Sequence, residues 1–194
     1  MPERHIQSGA LPQSRALNAA FGKCRALPSA AVATAPDPAL DLELLSGEAR
    51  PLSDWLTMFP LVLAVIDPYT HESAWLLPTI RRIFETFRGA DCRVAWLVTA
   101  DREGAKQFLG PLADEFLTYI DPHRSLVKSL GLSVLPSLVV LRQDSSLLGV
   151  AEGWDPTTWR PLAEELARFT SWSKPVIPVK GDPVAYPGTP ALAS

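Results

Sequence analysis

The sequence predicts an α/β fold: a three-layer sandwich with a central mixed sheet between layers of helices, and an extension at each end. Three observations predict it. Residues 60–66, 93–99 and 137–141 are apolar runs rich in Val, Ile and Leu, the composition of strands buried on both faces. Between the first two, Trp75, Leu76, Ile80, Ile83, Phe84 and Phe87 recur at helical spacing. Capping and turn residues stand at the junctions, among them Asp101, Gly131 and Asp155-Pro156.

The elements follow in order. Residues 14–24 form a short amphipathic helix with Leu17, Ala20 and Phe21 on one face, inside an N-terminal extension over 1–37. Residues 40–45 alternate apolar and acidic side chains, as a half-exposed strand does, and Ser46-Gly47-Glu48 turns the chain. Residues 51–56 make a short helical turn closing on Trp55. After the strand at 60–66, a helix spans 70–87. Pro78 lies inside it and is expected to kink it, because proline lacks the amide donor and crowds the preceding turn.

The strand at 93–99 leads to a helix capped by Asp101 and running to Leu109. A brief strand covers 118–120. Asp121-Pro122 opens a helix that ends at Gly131. The strand at 137–141 turns at Asp144-Ser145-Ser146 into an antiparallel return over 147–150. Asp155 caps, and Pro156 starts, a last helix to Phe169. From 171 to 194, Pro175, Pro178, Pro183, Pro187 and Pro190 exclude regular structure and favour an extended arm.

Composition narrows the function classes. The net charge is −3 with no Lys/Arg cluster, which argues against nucleic acid as a partner. No apolar run is long enough to span a bilayer, so no membrane insertion is expected. The sequence after Met1 lacks the apolar core of a secretory signal, and the cytoplasm is the expected compartment. The two cysteines, Cys24 and Cys92, have neither metal nor redox spacing. His5, His71 and His123 stand apart from any ligand pattern, and no metal or other cofactor is expected.

Two short segments carry a family resemblance. Asp67-Pro68-Tyr69-Thr70-His71-Glu72-Ser73 follows the first core strand, and Val134-Leu135-Pro136-Ser137 enters the third. With the order of elements around them and Gly153-Trp154 before the last helix, residues 38–170 resemble the thioredoxin superfamily. The early strand and short helix resemble its redoxin branch, that of peroxiredoxins and thiol reductases. The resemblance implies a cis peptide bond before Pro136, in a loop of Val134, Leu135 and Pro136 that presents backbone groups to an extended peptide. In that family a helix proline lies five residues after the second cysteine. Counting back from Pro78 gives Ser73, and the first cysteine position falls on Thr70. Thr70 then matches the peroxiredoxin threonine, and Ser73 replaces the cysteine.

Thr70, His71, Glu72 and Ser73 are therefore read as a degenerate active site. Thr70 and Ser73 also suit the first turn of any helix, for hydrogen-bonding reasons alone. The substitution removes the chemistry. A thiol at a helix N-terminus can ionise near neutrality, whereas a hydroxyl does not and has no sulfenic or disulfide state. His71 is a poor base for Ser73, since residues two apart on a helix do not face one another. No catalytic residue is assigned. Peptide pairing needs only amides, carbonyls and apolar walls, and survives the loss of sulfur.

The leading reading is a redox-inactive binder of another protein or an extended peptide: an assembly factor, chaperone or accessory subunit. Tyr69, Trp75 and Trp154 are candidate partner contacts, because aromatics are enriched at interface hot spots. A further resemblance, on Asp54-Trp55-Leu56-Thr57, Asp67-Pro68 and Gly149-Val150 with Gly153-Trp154-Asp155-Pro156, is to the cysteine-lacking thioredoxin-like accessory proteins of nickel–iron hydrogenase assembly. The alternatives are a redoxin-type peroxidase or oxidoreductase using Cys24, and a structural subunit of a larger complex held by the arms.

Overall fold

The structure is a computed structural model and describes residues 33–192. The expected helix over 14–24, with Cys24, lies outside the described residues. Seven strands form the main sheet: β1 (Asp41–Leu44), β2 (Ala49–Pro51), β3 (Leu61–Ile66), β4 (Arg93–Val98), β5 (Leu117–Ile120), β7 (Ser137–Leu141) and β8 (Leu147–Glu152). A separate two-stranded ribbon pairs β6 (Val134–Leu135) with β9 (Thr189–Pro190). The order in the main sheet is β2-β1-β5-β4-β3-β7-β8. β4 is parallel to β3 and β5, whereas β7 is antiparallel to β3, so the sheet is mixed.

The helices are α1 (Leu52–Leu56), α2 (His71–Phe87), α3 (Arg102–Leu109), α4 (Leu112–Glu115), α5 (Ser125–Ser129) and α6 (Pro156–Phe169). Two apolar clusters show how they are layered. Val62, Ala64, Ile66, Val94, Trp96, Val98, Leu138 and Val140 pack with residues of α2, α3 and α6. Leu61, Leu63, Val65, Ala95, Leu97, Val139 and Leu141 pack with α1 and α5. The strict alternation is the period-2 geometry of strands buried on both faces. Each fully buried side chain of this kind contributes about 1.5–3 kcal/mol. Phe84 on α2 packs its ring 4.9 Å from that of Trp96 on β4, which locks the helix over the sheet centre.

Several local expectations change. The sequence between 46 and 52 reads as turn and helix, but Ala49–Pro51 pairs with β1 as an edge strand. The helix read as opening at Asp121 starts at Ser125. Asp121 caps it from outside, accepting from the amides of Ser125, Leu126 and Val127 at 2.6, 2.9 and 3.1 Å. Arg124 enters that helix with φ 54°, a conformation uncommon for a non-glycine residue. α2 runs unbroken through Pro78, which sits on its exposed side. The C-terminal arm is extended, yet it contributes β9 to a ribbon. Pro190 is tolerated there because an edge strand does not need every amide.

Candidate functional site

β3 delivers the chain to Asp67, which is buried at the carboxyl end of the sheet. Its carboxylate accepts from the Tyr69 amide at 3.0 Å and from the Arg124 guanidinium at 2.7 Å. That ion pair ties the start of α2 to the segment before α5, and both side chains are largely buried. Asp67 also has its backbone carbonyl turned to Thr70, which donates to it through Oγ1 at 3.0 Å.

Thr70 is the N-cap residue of α2, but its hydroxyl makes no cap bond to the helix. It lies 2.7 Å from the Ser73 hydroxyl instead. Each hydroxyl carries one proton. With the Thr70 proton on the Asp67 carbonyl, Ser73 donates to Thr70, and the pair forms a closed relay ending on the backbone. Ser73 is fully buried. The two positions that the sequence singles out are thus in contact and satisfied, and no general base reaches them: His71 is exposed on the first turn. Glu72 is half-buried, and its backbone carbonyl accepts from the Tyr186 phenol at 3.0 Å. Burial, followed by the Glu72 charge, pushes the Tyr186 phenol well up.

Beside α2 lies the Val134-Leu135-Pro136 loop. The Leu135–Pro136 peptide is cis, as is Ile177–Pro178. The loop is pinned from within: the Glu152 carboxylate accepts from the Ser133 and Val134 amides at 2.9 and 3.0 Å, and Ser137 donates to the Val134 carbonyl at 2.7 Å. Its free edge is occupied by the C-terminal arm of the same chain. Val134 and Leu135 pair antiparallel with Pro190 and Thr189. The Ala191 amide donates to Ser133 O at 2.8 Å. Trp154 and Tyr186 exchange both backbone bonds, at 3.0 and 2.9 Å. Arg124, already paired with Asp67, donates its other nitrogen to Ala191 O.

Of the candidate contact residues, Tyr69 and Trp75 project outward, 78% and 61% exposed. Trp154 does not. It is fully buried, with its ring 5.1 Å from that of Trp159, and its indole donates to Pro183 O at 2.8 Å. It is a core residue facing the arm and offers no surface to an outside partner while the arm is in place. Sequence reasoning missed Arg124, Tyr186 and Gly188, whose partners are all distant in the chain.

Cys92 is the free cysteine among the described residues. It precedes β4, at the opposite end of the strands from Asp67, on the order of 20 Å away at about 3.3 Å per residue. Burial, with some help from Asp91, pushes its thiol up to about 11, so it is not ionised at neutral pH. Among the described residues, no group of three His, Cys, Asp or Glu is placed to hold a metal. No described helix is long and apolar enough to cross a membrane.

A mixed sheet between helices, a helix starting beside the end of β3 and a proline loop facing it define a thioredoxin-like fold. Solved structures agree. A secreted disulfide oxidoreductase from Mycobacterium tuberculosis, homologous to E. coli DsbE, superimposes with a TM-score of 0.53 at 17% identity, covering 67% of this chain and 96% of its own. Peroxiredoxin Q from Xanthomonas campestris gives 0.57 at 14% identity, covering 72% and 98%. The thioredoxin domain of a thiol-disulfide oxidoreductase from Bacteroides vulgatus gives 0.56 at 13% identity, covering 73% and 99%. At these identities the likeness is one of fold. No family model matches the chain, and no curated protein matches it.

Proposed function

We propose that this chain binds an extended polypeptide in the groove between the start of α2 and the Pro136 loop, and does no thiol chemistry there. The observation that carries the reading is the Thr70–Ser73 hydroxyl pair, 2.7 Å apart and closed on itself where a redoxin needs a reactive thiol. The groove itself accepts an extended chain, since the arm pairs with Val134 and Leu135 along it. Backbone pairing supplies affinity in this mode, and pockets beside it supply choice. Trp75 stands beside Val184 and Tyr186 of the arm with exposed aromatic surface that a bound partner would cover, whereas the exposed Tyr69 turns its phenol towards Gly104 of α3.

The role is that of a cytoplasmic assembly factor, chaperone or accessory subunit. The segments resembling hydrogenase accessory proteins also have local tasks. Asp54-Trp55-Leu56 forms α1, and Asp155-Pro156 caps and starts α6. They support the fold of that family more than its partner, so the partner class is left at an extended polypeptide.

The test places a photo-crosslinking residue at Trp75 in the full-length protein in its native cells. Cross-links mapping to an extended segment of one partner support the reading. Recovery of the protein only as an uncrosslinked monomer counts against it. A parallel assay measures peroxide and insulin-disulfide reduction by wild type and Cys24→Ser. Activity that disappears in the variant would replace the binding reading with the enzymatic one.

A further inference from the structure

Residues 172–191 divide into two parts held in different ways. The first part is anchored by side chains. The Trp172 indole donates to Thr86 O at 2.7 Å, Ile177 is buried in the main core, and Arg160 donates to Ile177 O. Arg82 Nη2 reaches both carboxylate oxygens of Asp182, and Thr79 donates to one of them, all between 2.8 and 3.0 Å. The second part, from Pro183 to Ala191, is held chiefly through its backbone, with Tyr186 as its one large half-buried side chain. Val184 is 88% exposed, and Ala185, Pro187 and Pro190 face solvent. Gly181, with φ +103° and open space where a side chain would be, turns the chain just ahead of Asp182, the last anchor.

The contact is shaped for close approach from both sides. A Cβ on Gly153 would lie 2.7 Å from Pro187 O, and Gly153 has φ +67°. A Cβ on Gly188 would lie 2.8 Å from Leu135 O, and Gly188 has φ +88°. Ala191 fills a fully buried position in the second core cluster that a longer side chain would overfill. Groove and tail thus each carry a glycine where their backbones touch.

Resting on the reading of this groove as a polypeptide site, we infer that residues 183–191 are its built-in ligand, which a partner must displace. The partner segment is accordingly an extended chain of the same chemistry: a tyrosine that can reach the Glu72 carbonyl, a glycine opposite Leu135 and a small apolar residue in the Ala191 position. The tether sets the cost of displacement. Joined directly to the anchored part at Asp182, the tail is held at an effective concentration on the order of 1 mM. A free peptide with the tail's own sequence then binds the closed protein only at roughly that concentration, however well it fits. If the tail is closed nine-tenths of the time, its release improves binding in trans by about tenfold or more.

The experiment uses full-length wild type and Gly188→Val. The variant places a β-branched side chain against Leu135 O at positive φ and leaves the groove residues unchanged. The probe is a labelled synthetic peptide of residues 183–192, with its Gly→Val counterpart as control. Hydrogen exchange reports the state of the tail: in Gly188→Val the Tyr186 and Ala191 amides should lose protection while β3 keeps it. The expected result is binding of the probe to Gly188→Val at least tenfold tighter than to wild type, with no binding of the control peptide.

Equal, tight binding to both proteins would keep the polypeptide site and overturn the built-in ligand. Binding to neither, with the tail shown to be released, would overturn the groove reading itself. Exchange of arms between two copies, seen as a dimer in solution, would overturn the intramolecular assignment. Should Gly188→Val fail to fold, wild type decides alone: tail amides as protected as those of β3 would make the tail a fixed part of the fold and end the inference.

Discussion

Asp182→Ala tests whether the anchored half of the arm belongs to the folding unit. The Asp182 side chain is 6% exposed, and its Arg82 partner is 29% exposed. Its carboxylate accepts from Arg82 Nη2 at 3.0 and 2.8 Å, from Thr79 Oγ1 at 2.8 Å and from the Val179 amide at 2.7 Å. Removing it leaves the Thr79 hydroxyl, on a residue only 2% exposed, without that partner. It also leaves a half-buried guanidinium without its counter-charge. Breaking a buried pair costs about 3–5 kcal/mol, and the solvent that reaches Arg82 screens part of it. The expected loss is therefore about 3 kcal/mol in urea-induced unfolding, a large share of the ~5–15 kcal/mol that a domain has. Asp182→Asn keeps one acceptor and should lose about half as much. A loss below about 1 kcal/mol for Asp182→Ala would show that residues 172–182 are not part of the cooperative unit, and the division between anchor and tail would fail.

Three further outcomes are expected. Thr70→Cys/Ser73→Cys should form a disulfide on mild oxidation, seen as loss of two hydrogens by mass, because the present O···O separation of 2.7 Å needs only a small adjustment to reach an S–S bond of about 2.05 Å; persistent free thiols would mean that this helix start lacks redoxin geometry. Gly153→Ala should cost roughly 2 kcal/mol in thermal or urea unfolding, since it combines φ +67° with a Cβ 2.7 Å from Pro187 O; a neutral result would show that the arm yields freely there. Stability should fall as pH rises from about 9 to 12: burial holds the Cys92 thiol at about 11 and the Tyr119 phenol at about 12, against ordinary values of 9.0 and 10.0, so the unfolded chain gives up those protons first. Tyr119→Phe should flatten that decline, and urea midpoints across pH check it.

The core was legible because its signals are local. Continuous apolar runs marked β3, β4 and β7, helical spacing marked α2, and the Asp155 cap with Pro156 marked the start of α6. The contact of Thr70 with Ser73 was legible because the two sit one turn apart on one helix, at positions that the resemblance counted back from Pro78. The arm was not. Proline density over 175–190 argued against regular structure, and did so correctly for most of it. What the density does not encode is the destination, because the pairing of Thr189 with Leu135 spans 54 residues and rests on backbone groups that every residue has. The burial of Trp154 beneath the arm was illegible for a related reason. An aromatic ahead of a helix looks the same in sequence whether it meets solvent or, as here, Trp159 and the Pro183 carbonyl. Arg124 carried no signal either, since its two partners, Asp67 and Ala191, lie on either side of it in the chain and far from it.

The loss of sulfur and the presence of the tail bear on each other. A redoxin must admit a substrate disulfide or peroxide to the start of α2, so a chain segment across the Pro136 loop works against turnover. On the binding reading, with hydroxyls at Thr70 and Ser73, there is no turnover to protect, and the same loop is free to hold a segment that is exchanged only by competition. Arg124 joins the two features physically. One guanidinium nitrogen holds the Asp67 carboxylate at the head of α2, and the other holds the Ala191 carbonyl of the tail. Release of the tail would remove one of the two side-chain hydrogen-bond partners of Arg124 and leave Asp67. Tyr186 makes a second link, its phenol donating to the Glu72 carbonyl on the first turn of α2, so on the binding reading the occupant of the groove touches the helix start at two points.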